Sequence, residues 1–437
     1  MANRIITALD VGSSKVTSII ATASKGREPS VIGVASVPSQ GLKKGVIVNI
    51  DEAINSIANS LEAAERMAGL TVSSVYISIN GKHITSTNNK GVVAVAQDEI
   101  VTDDVFRAIE SARTVSIPPS REILHVIPRE FIVDAQGGIK DPVGMSGTRL
   151  EVDAHIVSAT STALHNLIKC VQQLGLRVDD IVFSGWVAAT STLTDTEKEL
   201  GVMLLDIGGG TTSIVTFVED AITYSGSVPF GGANVTSDLA IGLRVSLEDA
   251  EKIKLNQEDL MKIKQEPVKK ASFLKRSEVR NEEKEEKMKE KKKDIIDVSS
   301  LNIEGVNTIS KKLFNEIVEA RMSEIFDLVI TQVEQSGNEA RLPAGIVLTG
   351  GGALHPGLTR ITKKVFGVPA RIGYPRGLTG LIDEISSPIY AVAQGLILYG
   401  DQNEGVSRSN SAAVGVIKQA GGGFVNKIKS FVRNLLP

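Results

Sequence analysis

One short phrase occurs twice in this chain, first at residues 9–15 and again at 205–212. The first copy reads Leu9-Asp10-Val11-Gly12-Ser13-Ser14-Lys15 and the second Leu205-Asp206-Ile207-Gly208-Gly209-Gly210-Thr211-Thr212. Apolar runs precede both copies (Ile5 to Leu9, Val202 to Leu205). β-branched alternation follows both: Val16, Thr17, Ile19 and Ile20, then Ile214, Val215, Thr216 and Val218. Strand, tight glycine turn and strand is the pattern of a β-hairpin. Two such hairpins, each with an aspartate at its lip and small residues at its tip, can face one another across a cleft that takes phosphates.

A third glycine cluster, Thr349-Gly350-Gly351-Gly352-Ala353, follows the apolar strand pattern at 345–348. Glycines there allow a ligand to approach the backbone closely. The backbone N–H groups and hydroxyls of Gly12, Ser13, Ser14, Gly208, Gly209, Gly210, Thr211 and Thr212 form candidate phosphate cradles. Lys15 adds a point charge. Asp10 and Asp206 suit a hydrated Mg²⁺, which prefers a few carboxylates plus water to a full protein cage.

At 437 residues the chain calls for more than one core. Its net charge of −3 gives no basic field for nucleic acid, so no nucleic-acid partner is expected. The single cysteine, Cys170, sits on an apolar helical face and reads as a buried, inert thiol. The five histidines lack ligand spacing and read as structural or surface residues. The N-terminal residues run into a strand with no signal-peptide pattern, and no apolar run approaches the roughly 20 residues of a membrane span. A cytoplasmic chain is expected.

The pattern divides the sequence as follows. Residues 1–80 and 163–200 form a first domain, closed by a helix at 386–400. Residues 81–162, dense in turn signals around one helix at 103–112, read as a small α+β insertion. Residues 201–235 and 311–385 form a second domain, with a polar, mostly helical subdomain at 236–310. A helix at 51–68 is expected, with Asp51 as N-cap and Gly69 just past its end. Within the subdomain, 275–297 carries nine Lys or Arg and eight Asp or Glu, a solvated helix or loop. Residues 401–423 read as a flexible linker.

The order of the three glycine motifs resembles the actin / Hsp70 / sugar-kinase superfamily over residues 1–400. That resemblance implies two similar α/β domains around an ATP cleft. It also implies that Glu251 and Lys254, a Glu-x-x-Lys pair on one helix face, contact the adenosine, and that Gly350, Gly351 and Gly352 approach the nucleotide. Longer segments narrow the resemblance. Ser78-Ile79-Asn80-Gly81-Lys82-His83-Ile84, His125 to Glu130, Asp141 to Gly147, Phe230 to Asp238 and Gly345 to Gly351 are similar to the FtsA family of bacterial cell-division proteins. The expected fold is therefore α/β, an actin-like two-domain ATPase fold with an inserted α+β subdomain and a C-terminal amphipathic helix.

The family implies a filament-forming ATP-binding protein on the cytoplasmic side of the cell membrane, at the division septum. Its implied partners are the C-terminal peptide of FtsZ, which the 236–310 subdomain would take, further copies of itself, the anionic membrane surface and later division proteins. Actin-like hydrolases carry a water-orienting Gln or Glu on the segment before the second hairpin. Here that segment, Ser184 to Thr192, contains no Gln, Glu, Asp or His. Slow hydrolysis is expected, because water positioning is a large part of phosphoryl-transfer catalysis.

Residues 424–437 read as an amphipathic helix. At 100° per residue, Phe424, Val425, Ile428, Phe431, Val432, Leu435 and Leu436 fall within an arc of about 140°. Lys427, Lys429 and Arg433 lie opposite, and no acidic residue is present. About 20 Å of helix cannot cross a bilayer, but it can lie in the interface with its cations toward anionic headgroups. A pilus-assembly actin homologue is the main alternative. A superfamily kinase has no use for such a tail, and a chaperone-like ATPase is expected to carry a peptide-binding domain after its nucleotide core.

Overall fold

The computed structural model describes residues 4–257, 294–337 and 341–403. Its two main sheets repeat one topology. In lobe I, Arg4–Val11, Lys15–Ser24 and Arg27–Pro38 form an antiparallel meander, and Ser74–Ile79 then Arg177–Phe183 extend it in parallel on the other side of the first strand. In lobe II, Val202–Ile207, Thr212–Val218 and Ala221–Val228 form the meander, and Gly345–Thr349 then Ala370–Ile372 extend it. The duplication visible in a few residues of sequence is thus a duplication of whole sheets. A short strand, Thr379–Gly380, returns from lobe II to pair with Arg27–Pro38.

The strand Val202–Ile207 shows why its sequence does not alternate. Val202 and Leu204 belong to the lobe I core, while Met203, Leu205 and Ile207 belong to the lobe II core. A strand covered on both faces reads as a continuous apolar run. The helices Ser184–Thr192 and Ala391–Gln402 belong to the lobe I core and carry buried apolar residues, among them Val187 and Leu396. Gly395 fits against the backbone of Val187. Cys170 is buried in the same core.

The first long helix spans Ile50–Ala68. Its N-cap is Asn49, whose side chain accepts from the N–H groups of Asp51 and Glu52, so the cap expected at Asp51 is corrected by two residues. Asp51 and Glu52 instead lie in the first turn, where negative charge suits the helix dipole. Gly69 takes the left-handed position expected of it.

Residues 85–160 build a four-stranded sheet, with Thr85–Ala94, Arg149–Thr160, Arg121–Val133 and Gln136–Ile139 as neighbours in that order. The helix Thr102–Arg113 covers it over a separate core around Val105, Ile109, Phe131 and Val152. The insertion also seals an edge of lobe II. The Ser86 hydroxyl donates to the Ser225 carbonyl at 2.7 Å and accepts from the Ser225 N–H at 3.0 Å. The Asn88 amide donates to the Thr223 carbonyl at 3.2 Å. Those backbone groups lie on the outer strand of the lobe II sheet, Ala221–Val228.

In lobe II the helices Gly232–Leu243 and Leu247–Leu255 pack with the long helix Lys311–Gln335. The charged run expected at 275–297 lies outside the described residues except for its last four. Of these, Ile295–Asp297 form a strand paired with Thr308–Ser310, in place of the helix or loop expected there. The tail at 424–437, with Phe424, Val425, Lys427, Ile428, Lys429, Phe431, Val432, Arg433, Leu435 and Leu436, lies outside the described residues, as does the linker beyond 403. Among the described residues no helix is long and apolar enough to cross a membrane.

Candidate functional site

The repeated phrase folds into the same turn twice. Asp10 pairs with Thr17 and Asp206 with Ser213 across their hairpins. The Gly12 N–H closes the first turn on the Lys15 carbonyl at 3.0 Å, and the Gly208 N–H closes the second on the Thr211 carbonyl at 2.9 Å. The tips meet. A Cβ on Gly209 would stand 2.4 Å from the Cβ of Ser14, so only glycine permits this approach. Between the lobes, beside these tips, opens a cavity of about 610 Å³, the size of a small-molecule site.

Two buried carboxylates line it, one from each lobe. Asp10 Oδ1 accepts from the Ser78 hydroxyl at 2.6 Å, and Ser78 Oγ itself accepts from the Val11 N–H at 3.2 Å. Burial raises the Asp10 pKa, against the pull of Ser78 and Lys15. Burial, and then the charge of Asp10, push Asp206 up to about 7, against the pull of Lys15. Burial lowers the Lys15 pKa in turn, while both aspartates oppose it. The Lys15 ammonium donates to the Ile389 carbonyl at 3.2 Å and lies 5.1 Å from the centre of the Tyr390 ring. Two desolvated carboxylates with one lysine between them are short of positive charge. That donor set fits a hydrated divalent cation.

The third glycine motif supplies the floor. Gly350 has φ +81°, and a Cβ there would stand 2.4 Å from Asp206 Oδ1. Its conformation and its closeness to the carboxylate both require glycine.

The far end is more apolar. Val318 and Met322 come from the long helix Lys311–Gln335, and Leu255 and His355 complete that wall. Glu251 and Lys254 line the cavity too, 2.6 Å apart. The Lys254 ammonium also donates to Thr236 Oγ1 at 2.7 Å and to the Gly232 carbonyl at 3.2 Å. All three of its N–H groups are thereby used, so Lys254 orients Glu251. The second Glu251 oxygen remains to accept from a ligand hydroxyl. Burial and then Lys254 lower the His355 pKa to about 4, so the ring is neutral at neutral pH, and its Nδ1 lies 2.8 Å from Gln257 Nε2.

Fourteen of the residues singled out from sequence wall this one cavity: Asp10, Gly12, Ser13, Ser14, Lys15, Asp206, Gly208, Gly209, Thr211, Glu251, Lys254, Gly350, Gly351 and Gly352. The structure places Gly210 and Thr212 outside the lining. Gly210 turns toward Ser13 and Lys44. Thr212 is fully buried, and its hydroxyl donates to the Phe230 carbonyl at 2.9 Å. Gly210 lies in the turn itself, and Thr212 opens the strand Thr212–Val218 with its side chain directed into the interior. Sequence reasoning missed Asn80, Gln257, Val318, Met322 and His355. Asn80 follows the strand Ser74–Ile79, which pairs with the strand of Asp10. Val318 and Met322 have the i,i+4 spacing of any core-facing helix, and their spacing alone does not separate a pocket from a core.

Comparison with known proteins supplies the family. The family "SHS2 domain inserted in FTSA" matches residues 81–158, and "Cell division protein FtsA" matches residues 203–395. A "Cell division protein FtsA" of Pseudomonas aeruginosa is 37% identical over 414 residues, 94% of this chain and 93% of the relative. The protein of the same name from Escherichia coli K12 is 32% identical over 407 residues, 92% and 91% of the two chains. Among solved structures, a "PilM-PilN type IV pilus biogenesis complex" chain superposes with a TM-score of 0.61 at 15% identity. It covers 91% of this chain and 98% of its own. That likeness shows a shared fold alone. The fold is actin-like, with an inserted α+β subdomain.

Proposed function

The chain belongs to the FtsA family of cell-division proteins, and from that premise we propose an ATP-binding, filament-forming protein that tethers the FtsZ ring to the inner face of the cytoplasmic membrane. The observation that carries the nucleotide reading is the convergence of both hairpins and the Gly350 turn on one cavity of about 610 Å³. Ser13, Ser14 and Thr211 offer hydroxyl donors at the hairpin end, and Lys15 offers charge. The apolar far end suits a base, and Glu251 suits a ribose hydroxyl. Mg²⁺, when bound with the nucleotide, would neutralise phosphate charge, and Asp10 and Asp206 would hold it through water.

Slow hydrolysis goes with this reading. The helix Ser184–Thr192 carries no Gln, Glu, Asp or His, and none of its residues lines the cavity. Nucleotide then serves to join the lobes for assembly. The sequence of 424–437 supports a peripheral membrane helix. A single short helix with three cations binds weakly, and an array of them on a filament gains avidity without new contacts. The FtsZ peptide is assigned to the 236–310 subdomain, and recruitment of later division proteins follows from the same family reading. The pilus-assembly alternative has a shared fold in its favour and no specific residue.

Liposome pelleting of the full chain on anionic vesicles, with and without Mg-ATP, tests this. ATP should increase pelleting, and Phe431→Glu should abolish it while leaving ATP binding intact. Equal pelleting of Phe431→Glu would refute membrane insertion by this face. Single-turnover phosphate release at the rate of a metabolic kinase would refute slow hydrolysis.

A further inference from the structure

Leu42–Lys43 and Val46–Ile47 form a two-stranded turn that stands apart from both main sheets. Its tip residues, Lys44 and Gly45, both have left-handed backbone, with φ 53° and 76°. That conformation is uncommon for lysine and is kept where surroundings enforce it. The tip touches both phosphate hairpins. The Gly45 N–H donates to Ser13 Oγ at 2.7 Å. The Lys44 ammonium lies 5.0 Å from the centre of the Phe230 ring. Phe230 belongs to lobe II, where its carbonyl takes the Thr212 hydroxyl. A Cβ built on Gly210 would stand 2.9 Å from Ser13 Cβ and 3.3 Å from Lys44 Cα, so the second hairpin's tip rests on this turn.

The Ser13 contact has a chemical consequence. A hydroxyl has one proton to give and two lone pairs. With the Gly45 N–H occupying a lone pair, the Ser13 proton is free to be donated to a ligand in the cavity that Ser13 lines. The Lys44 contact has a mechanical one, since a cation over an aromatic face joins a lobe I turn to lobe II without covalent linkage.

We propose that this turn is a latch across the cleft: Gly45 sets Ser13 as a donor toward the phosphate chain, and Lys44, resting on Phe230, ties the lobes together and slows nucleotide release. The inference rests on the ATP reading above and adds Lys44 and Gly45 to it as positioning residues.

The test is stopped-flow release of a fluorescent ATP analogue, with Mg²⁺, from the full chain after a chase of unlabelled ATP. Lys44→Ala and Phe230→Leu should each speed release about three-fold, the scale of an exposed cation–aromatic contact. The double variant should release no faster than either single one. Lys44→Arg should keep the native rate, because a guanidinium also stacks on the ring. Lys43→Ala, a change at the exposed neighbouring residue, should keep it too. Lys44 is itself exposed, so Lys44→Ala carries the test even if Phe230→Leu fails to fold. A native release rate for Lys44→Ala, or additive acceleration in the double variant, overturns the latch. A native chain that takes up no labelled nucleotide overturns the ATP reading and the latch with it. That outcome is distinct from binding with unchanged release.

Discussion

The two lobes present the same aspartate on the same strand of the same sheet, yet they treat it differently. In lobe I the parallel neighbour of Asp10 is Ser78, by the register that pairs Leu9 with Ile77, and its hydroxyl donates to the carboxylate at 2.6 Å. In lobe II the parallel neighbour of Asp206 is Thr349. The Thr349 hydroxyl turns away toward the carbonyls of Gly373, at 3.1 Å, and Pro388, at 3.4 Å, and has one proton to share between them. No described residue donates a hydrogen bond to the Asp206 carboxylate, which burial and then the charge of Asp10 push up to about 7. The lone lysine of the pair, Lys15, also comes from lobe I. A repeated fold has thus produced one carboxylate satisfied by its own lobe and one that depends on what the cleft contains. The lesson is that duplicated geometry does not duplicate electrostatics, since a single hydroxyl's direction separates the two sites.

The largest effect that would sharpen this contrast is on ligand affinity. Asp10→Asn and Asp206→Asn should each weaken Mg-ATP binding roughly 10–100-fold, the range for residues that hold a metal through an outer shell. Titration calorimetry on the full chain measures it. Full affinity in Asp206→Asn would break the view that lobe II's carboxylate depends on the ligand.

Ser78→Ala comes next. It removes the donor to Asp10 and the acceptor for the Val11 N–H together. The expected loss of stability is about 2 kcal/mol, because buried partners are left unsatisfied. Thr349→Val should leave the Asp206 environment unchanged. Chemical denaturation repeated across pH compares the two, since Thr349→Val costs only its bond to the Gly373 carbonyl, and an equal change of pH dependence in both variants would erase the asymmetry.

The smallest effect is on pH dependence without Mg²⁺ or nucleotide. The folded-state pKa of Asp206 lies above its unfolded value of 3.8. A raised acid contributes stability that is complete below the unfolded pKa and is lost as pH rises through the folded one. The ligand-free chain should therefore lose about 1 kcal/mol between pH 6 and pH 8, and Asp206→Asn should reduce that slope, leaving the share of Asp10. Asp10 and Asp206 titrate as a coupled pair, so the slope belongs to both.

Much of this was legible in the sequence for local reasons. A hairpin is written within a dozen residues, as glycines between two β-branched runs, and both copies fold where their residues placed them. The helix end at Gly69 and the insertion's helix, expected at 103–112 and found at Thr102–Arg113, were equally local. The errors arose where a choice depended on distant partners. Asn49 and Asp51 can both cap a helix, and the path of the preceding chain selected Asn49. Thr212 looks like a phosphate ligand, but its side chain is directed into the interior. The far wall of the cavity was not legible at all. Val318, Met322 and His355 are separated from the hairpins by the length of lobe II, and only folding brings them to one surface.

The seam between the insertion and lobe II has a consequence for how copies of this protein can meet. An uncovered outer strand is a template on which a stranger's backbone can continue the sheet. On the strand Ala221–Val228 the Ser86 and Asn88 side chains already occupy the outward N–H and C=O of Ser225 and the carbonyl of Thr223. They imitate the next strand without being one. Growth by sheet continuation is thereby closed at this edge, where an approaching chain meets side chains in place of free backbone groups.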